Sequence, residues 1–191
     1  MFGTRIYIAS VEGLKDEVLF KKFYEKMPDY RRKKIDSCAD EKERRLSLGA
    51  GILLSLAVLN AGYSESELEY GYRESGMPFF KNEPNLFFSL SKSGEKVMSA
   101  VSSNPIGVDA KFANENGKDY EAWVKAESYA KATDTALSDI LEGKISMNSE
   151  FRFLFPDFGD GYKYAICSEE FLNDEQIFYI NNINGVYKKL L

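Results

Sequence analysis

The stretch Leu46–Leu59 reads LSLGAGILLSLAVL and is the most apolar segment of the chain. It is too short for a membrane span, which needs about 20 predominantly apolar residues, and its length suits a buried helix. Asp40, with Glu43 three residues later, forms a partial capping box, and Asn60–Gly62 supplies the stop signal. We therefore predict a long core helix that begins near Asp40.

Strand and helix patterns lie on both sides of this core helix. Thr4–Ala9 is a predicted strand, and Leu14–Met27 has the apolar spacing of a helix that a Pro-Asp pair ends. A second helix is predicted over Glu121–Ala132, after a polar loop at Ala113–Lys118. The remaining predicted strands are Leu68–Tyr72, Leu86–Leu90, Val97–Ser102, Ile106–Asp109, Phe151–Phe155, Lys163–Cys167 and Ile177–Ile180. This order indicates an α+β protein.

The composition excludes several kinds of site and partner. The chain contains no histidine, which excludes a Ser-His-Asp triad, a Cys-His dyad and any His-ligated metal. Two cysteines, Cys38 and Cys167, form no zinc cluster and suit a reducing cytoplasm. A net charge of −5 argues against a nucleic-acid binder. Met1–Ser10 lacks a long apolar stretch, so we expect neither a signal peptide nor a membrane association.

Residues 31–45 form a basic stretch within this acidic chain. They contain seven Lys and Arg side chains against four Asp and Glu side chains. One interpretation is the solvated face of a helix. The other is a phosphate-binding patch, and composition alone leaves both open.

Several short segments, taken in order, carry a family resemblance. They are Pro28–Lys34 (PDYRRKK) with Arg45–Gly49 (RLSLG), Gly76–Phe79 (GMPF) with Phe88–Gly94 (FSLSKSG), Pro105–Asp109 (PIGVD), Trp123–Thr133 (WVKAESYAKAT) and Gly161–Cys167 (GYKYAIC). In this order the segments resemble the 4'-phosphopantetheinyl transferase superfamily, in its larger two-subdomain, surfactin-synthetase-activating type. Each segment alone is weak, and the order and spread of the set carry the resemblance.

The resemblance implies both a fold and an activity. The fold would be α+β, with a pseudo-two-fold arrangement of two similar α/β subdomains, residues 1–104 and 105–191, in one compact unit. Coenzyme A would bind at their interface. Its 4'-phosphopantetheine group would be transferred to a serine of an apo acyl- or peptidyl-carrier protein, with release of 3',5'-ADP. The resemblance also implies a monomer.

The resemblance further implies roles for seven residues. Asp109 and Glu127 match the family's Mg²⁺-binding acids, and Glu127 is also the expected catalytic base for the carrier serine. Lys131, one helical turn beyond Glu127, would act with it by holding the diphosphate or assisting the leaving group. These residue types suit the reaction, because a diphosphate leaving group requires cations and Mg²⁺ takes oxygen ligands. The expected coenzyme A contacts are Lys33, Arg45, Ser91 and Lys92.

The chain also departs from the family pattern. Lys111 replaces the third metal-binding acid, and Lys92 replaces a signature histidine; further departures are at Tyr30, Met77 and Ala126. Asp109 and Glu127 are 18 positions apart, a shorter interval than in the family. Two interpretations therefore stay open. One is a transferase, and the other is a catalytically impaired paralogue that binds coenzyme A or a carrier protein without efficient transfer.

Three geometric expectations follow. The carboxylates of Asp109 and Glu127 should converge closely enough to share one metal, although Glu127 and Lys131 taken alone could be a surface ion pair at i, i+4. Lys111 lies two residues from Asp109 on the same strand face, so its ammonium should either pair with one of the acids or swing into solvent. The Ser91–Gly94 segment should be either an anion-binding turn or a plain hairpin.

Overall fold

The computed structural model describes residues 2–113 and 120–189, so most of the predicted polar loop at Ala113–Lys118 lies outside the described residues. The helices are α1 (Glu17–Lys26), α2 (Asp29–Asp36), α3 (Glu41–Asn60), α4 (Tyr120–Thr133) and α5 (Leu137–Leu141). The strands are β1 (Arg5–Ser10), β2 (Tyr70–Tyr72), β3 (Pro78–Phe80), β4 (Phe87–Ser93), β5 (Lys96–Ser102), β6 (Ile106–Phe112), β7 (Arg152–Leu154), β8 (Tyr162–Ser168) and β9 (Ile177–Ile180). The predicted α+β class is confirmed.

Two sheets repeat the same topology. In the first, β1 pairs antiparallel with β5 and β5 with β4, and α3 lies between β1 and β4 in the chain. In the second, β6 pairs antiparallel with β8 and β8 with β7, and α4 lies between β6 and β7. A strand-helix-hairpin unit therefore occurs twice. Strand β9 adds in parallel to β1, so the end of the chain joins the first sheet. The division at residue 104 stays a prediction.

Helix α3 is the predicted core helix. The Asp40 side chain accepts a hydrogen bond from the backbone N–H of Glu43 at 2.8 Å and so caps the helix. Leu46, Leu48 and most of the following positions up to Val58 are buried, because α3 packs against α2, β1, β4 and β5. Within the described residues, no helix has the length and apolar character needed to cross a membrane.

Before α3, the helices of the structure differ from those predicted from the sequence. The predicted helix over Leu14–Met27 is divided into a short 3-10 turn and α1, because the Asp16 side chain accepts from the N–H groups of Val18 and Leu19 and starts a new helix there. Helix α2 was not predicted, because its sequence is almost entirely charged. Ile35 is its only buried apolar residue.

Serine side chains hold the two sheets together along β4 and β6. Ser89, Ser91 and Ser93 alternate along β4, so all three point to the same side of the strand. Their hydroxyl oxygens accept hydrogen bonds of 3.0–3.1 Å from the backbone N–H groups of Val108, Ala110 and Phe112 on β6. This seam places the polar face of β4 beside Asp109. It also shows that Ser91 lies within a strand of the β4–β5 hairpin and not in its turn.

Candidate active site

A cavity of about 700 Å³ lies over the seam between the two sheets. Its volume is typical of a site for a small ligand or cofactor. One wall carries the side chains of Asp109, Glu127 and Lys131, and aromatic side chains such as Phe79 and Phe87 line another part. The cavity therefore combines a charged region with an apolar one.

The turn between β2 and β3 closes one edge of this cavity. Arg73 and Ser75 in this turn both contact the carboxylate of Asp134, which follows α4; the Arg73 Nε to Asp134 Oδ2 distance is 3.7 Å. The Arg73 guanidinium also lies 5.1 Å from the centroid of the Phe79 ring. These contacts join the first unit to the second at the cavity edge.

The Lys131 ammonium is the centre of the charged wall. Its Nζ lies 2.8 Å from Oδ1 of Asp109, 3.2 Å from Oε1 of Glu127 and 3.0 Å from the carbonyl oxygen of Val108. Asp109 and Glu127 thus converge on one cation, although 18 positions separate them in the sequence. Glu127 and Lys131 form an ion pair at i, i+4, but one that lines a cavity and includes a third charged residue.

Asp109 is almost fully buried and is held by two donors. The residue is 2% exposed, and its Oδ1 accepts from the Ser91 hydroxyl at 2.7 Å as well as from Lys131. Its Oδ2 has no hydrogen-bond partner within the described part of the chain. Burial raises the pKa of Asp109 above its ordinary value, although the Lys131 ammonium opposes that change. Ser91 therefore positions the carboxylate, and its predicted contact with coenzyme A stays a prediction.

Glu127 is held differently. Its Oε2 accepts from the indole N–H of Trp123 at 2.7 Å, in addition to the ion pair with Lys131. Burial alone raises the pKa of Glu127, but the Lys131 ammonium and the indole bond outweigh burial, so this pKa lies below its usual value. The Lys111 ammonium lies 5.3 Å from the centroid of the Trp123 ring. Among the described contacts, Lys111 thus stacks on an aromatic ring and pairs directly with neither acid.

A second set of cations lines the cavity on the side of α2 and β4. Arg31 is 3% exposed, and its guanidinium lies 5.2 Å from the Tyr30 ring centroid and 5.8 Å from that of Tyr70. Burial, followed by the charges of Arg31 and Lys92, lowers the pKa of the Lys34 ammonium. Because Arg31 and Lys92 both lie close enough to disfavour the charge on Lys34, an anion in the cavity would relieve that repulsion.

The structure distributes the predicted coenzyme A contacts unevenly. Ser91 and Lys92 line the cavity, and the Lys92 ammonium also contacts Oε2 of Glu43 at 3.2 Å. Lys33 is exposed on α2 and Arg45 is half-buried on α3, and neither lines the cavity. Within the predicted basic stretch, Arg31 and Lys34 line the cavity instead. The spacing of Arg31 and Ile35 at i, i+4 was the available signal, because it places Arg31 on the inward face of α2.

The charged wall of the cavity offers few donors for a resident Mg²⁺ ion. Asp109 and Glu127 are the two carboxylates that meet at Lys131, and the described residues contain no group of three or more acidic, cysteine or histidine side chains placed to hold a metal. The unpaired Oδ2 of Asp109 could serve as a ligand. The Lys131 ammonium, however, already contacts both acids, so a Mg²⁺ ion would have to compete with it for their oxygens. The residues of the free chain therefore do not fit a resident Mg²⁺.

Comparison with known proteins supports one family. Over 69 residues, the chain is 30% identical to a 4'-phosphopantetheinyl transferase from Bacillus subtilis. The chain is thus similar to a phosphopantetheinyl transferase. The match covers 36% of this chain and 31% of that protein, so it spans about a third of each. No model of a known protein family matches the chain.

Proposed function

We propose that this chain binds coenzyme A in the cavity and transfers its 4'-phosphopantetheine group to a serine of an acyl- or peptidyl-carrier protein. The observation that carries this proposal is the meeting of Asp109, Glu127 and Lys131 in one cavity with the three cations of α2 and β4. The similarity to a transferase of that name supports it. Coenzyme A carries a diphosphate and a 3'-phosphate, and these are the groups that two separate sets of cations suit.

The two sets of cations divide the ligand between them. Lys131 lies beside the reacting acids, so it would bind the diphosphate. Arg31, Lys34 and Lys92 would take the 3'-phosphate at the other cationic wall. The apolar part of the cavity, with Phe79, offers an aromatic surface for the adenine ring.

The chemistry requires one proton acceptor and one stabilised leaving group. The carrier serine oxygen would attack the phosphorus next to pantetheine, and the bond from that phosphorus to the bridging oxygen would break, which releases 3',5'-ADP. The serine proton would pass to Glu127. In the free chain Lys131 keeps Glu127 ionised; when the ammonium turns to the diphosphate, Glu127 loses that stabilisation and becomes a stronger base.

Binding of coenzyme A without efficient transfer is the alternative function. The replacement of an acid by Lys111 favours it, because that position adds a positive charge where the family has a negative one. The remaining residues of the cavity would still bind phosphates. The two functions share a ligand and differ in a single measurable step.

The deciding experiment measures transfer and binding separately. The purified chain is incubated with coenzyme A and an apo carrier protein, and intact-protein mass spectrometry detects the phosphopantetheine adduct. Glu127→Gln should abolish the adduct and Glu150→Gln, which changes an exposed acid, should leave it unchanged. Calorimetric coenzyme A binding without any adduct would favour the alternative. Absence of both binding and adduct would overturn both functions.

A further inference from the structure

Three oxygen atoms surround the ammonium of Lys131 in the way that ligand oxygens surround a bound metal ion. They belong to Val108, Asp109 and Glu127 and lie between 2.8 and 3.2 Å from Nζ. An ammonium carries three N–H donors, so the number of oxygens matches what this group can satisfy. The oxygens come from β6 and α4, the two elements that form the charged wall.

This cation cannot leave without cost. The Asp109 side chain is 3% exposed and that of Lys131 is 20% exposed, so the pair lies largely out of solvent. Removing one partner of a buried ion pair leaves an uncompensated buried charge, which is strongly destabilising. Asp109 therefore needs a cation at this place whether or not a ligand is bound.

A second cation, Lys111, balances the remaining negative charge near the two acids. Lys111 lies over the ring of Trp123, and the indole N–H of Trp123 donates to Glu127. The two acids and the two lysines have a formal charge of zero together. A divalent ion would bring this group to a formal charge of +2 and would have to displace the Lys131 ammonium from its oxygens.

We propose that Lys131 takes the place of a divalent metal ion in this protein. Its ammonium is the resident cation between Asp109 and Glu127. When a nucleotide binds, the ammonium keeps its contact with Asp109 and exchanges Glu127 for the diphosphate, without any metal. The choice of a nucleotide diphosphate as ligand rests on the function proposed above, whereas the exclusion of metal rests on the geometry of the cluster alone.

Removing the ammonium should create the metal site that the wild type lacks. Asp109, with its unpaired Oδ2, and Glu127 would then face the same space with no cation between them. Lys111→Glu would add a third carboxylate on the same face of β6. These substitutions give a series of variants in which the net charge around the Asp109 and Glu127 carboxylates becomes stepwise more negative.

The first test titrates Mn²⁺, as a spectroscopic substitute for Mg²⁺, into the wild type and its variants without any nucleotide. The wild type should show no binding that depends on Asp109. Lys131→Met should bind Mn²⁺ in a way that Asp109→Asn abolishes, and Lys111→Glu with Lys131→Met should bind it about tenfold more tightly than Lys131→Met alone. Lys125→Met, which changes an exposed lysine on the same helix, should behave as the wild type. Circular dichroism establishes that each variant is folded.

The second test measures coenzyme A binding by the wild type with excess EDTA and with Mg²⁺. The proposal expects affinities equal within about twofold. It is overturned if wild-type Mn²⁺ binding is present and disappears in Asp109→Asn, or if coenzyme A binds only with Mg²⁺. Both observations use the wild type as reference, so they stand even where Lys131→Met fails to fold. If coenzyme A binds in neither buffer, the proposed function fails and the Mn²⁺ titration alone decides the role of Lys131.

Discussion

The backbone of Gly107 lies directly against the carbonyl oxygen of Ser128, with no space for a side chain between β6 and α4. A Cβ atom at Gly107 would lie 1.8 Å from that oxygen and 2.6 Å from the backbone nitrogen of Ala132. Ser128 follows Glu127, and Ala132 follows Lys131. This close approach therefore brings both site residues of α4 within reach of Asp109.

Replacing Gly107 by alanine should force α4 away from β6. We expect Gly107→Ala to lower the free energy of unfolding by at least about 1–3 kcal/mol, the usual cost of an overpacked core, as measured by urea denaturation. Gly185→Ala is the matched control, since a Cβ there meets nothing within 4 Å, and it should change stability by less than about 0.5 kcal/mol. Equal effects of the two changes would contradict this account of the β6–α4 contact.

Comparing two serines between β4 and β6 distinguishes a role in orienting Asp109 from a role in holding the sheets together. Ser91→Ala and Ser89→Ala each remove a hydroxyl that accepts from a β6 backbone N–H, and each should cost about 1–3 kcal/mol of stability. Only Ser91 also donates to the Asp109 carboxylate. Coenzyme A affinity, measured by calorimetry, should therefore fall more in Ser91→Ala than in Ser89→Ala. The same affinity in both variants would show that the Ser91 bond does not orient the site.

The basic stretch offers a test of which helix face binds phosphate. Lys34 lines the cavity and Lys33 does not, although the sequence resemblance favoured Lys33. Lys34→Ala should weaken coenzyme A binding by about 1.5–3 kcal/mol, the value for hydrogen bonds to charged groups, and Lys33→Ala should have little effect. Added salt should weaken binding by the wild type more than by Lys34→Ala. A larger effect at Lys33 would restore the sequence-based assignment.

Asp160 connects three strands and should make stability depend on pH. Its Oδ2 accepts from the hydroxyls of Tyr164 at 2.7 Å and Tyr179 at 2.9 Å and lies 3.4 Å from the ammonium of Lys96. Burial raises the pKa of Asp160, but these hydrogen bonds outweigh burial, so the pKa lies below its ordinary value. The resulting stability is present above the unfolded carboxyl pKa of about 3.9 and is lost as pH falls through the lower folded pKa.

Asp160→Asn should therefore destabilise the protein by about 1–2 kcal/mol at pH 7 and by less near pH 3. Urea denaturation at the two pH values measures the difference. Asp157→Asn is the control, because Asp157 is exposed in the same loop. A pH-independent effect of Asp160→Asn would show that the carboxylate charge is not what stabilises this junction.

Most helices and strands could be predicted from the sequence, because helix caps and apolar periodicity are short-range patterns. The apolar run after Leu46 and the cap at Asp40 predicted α3, and the spacing of Glu127 and Lys131 placed both on one face of α4. These signals are reliable because helix caps and side-chain periodicity involve residues within about four positions of one another. Helix α2 lacked them, since Ile35 is its only apolar anchor.

The resemblance named five of the residues that line the cavity, but the contacts among them were decided only by tertiary packing. Asp109 reaches Lys131 because Gly107 admits α4 and because Ser91 on β4 holds the carboxylate from the other sheet. Nothing local to any of these segments encodes that meeting. The sequence by itself determined the chain order of most strands and of the long helices, and the pair on α4. Tertiary structure decided which cations face the cavity and that a lysine lies between the two acids, because those outcomes depend on how whole elements pack against one another.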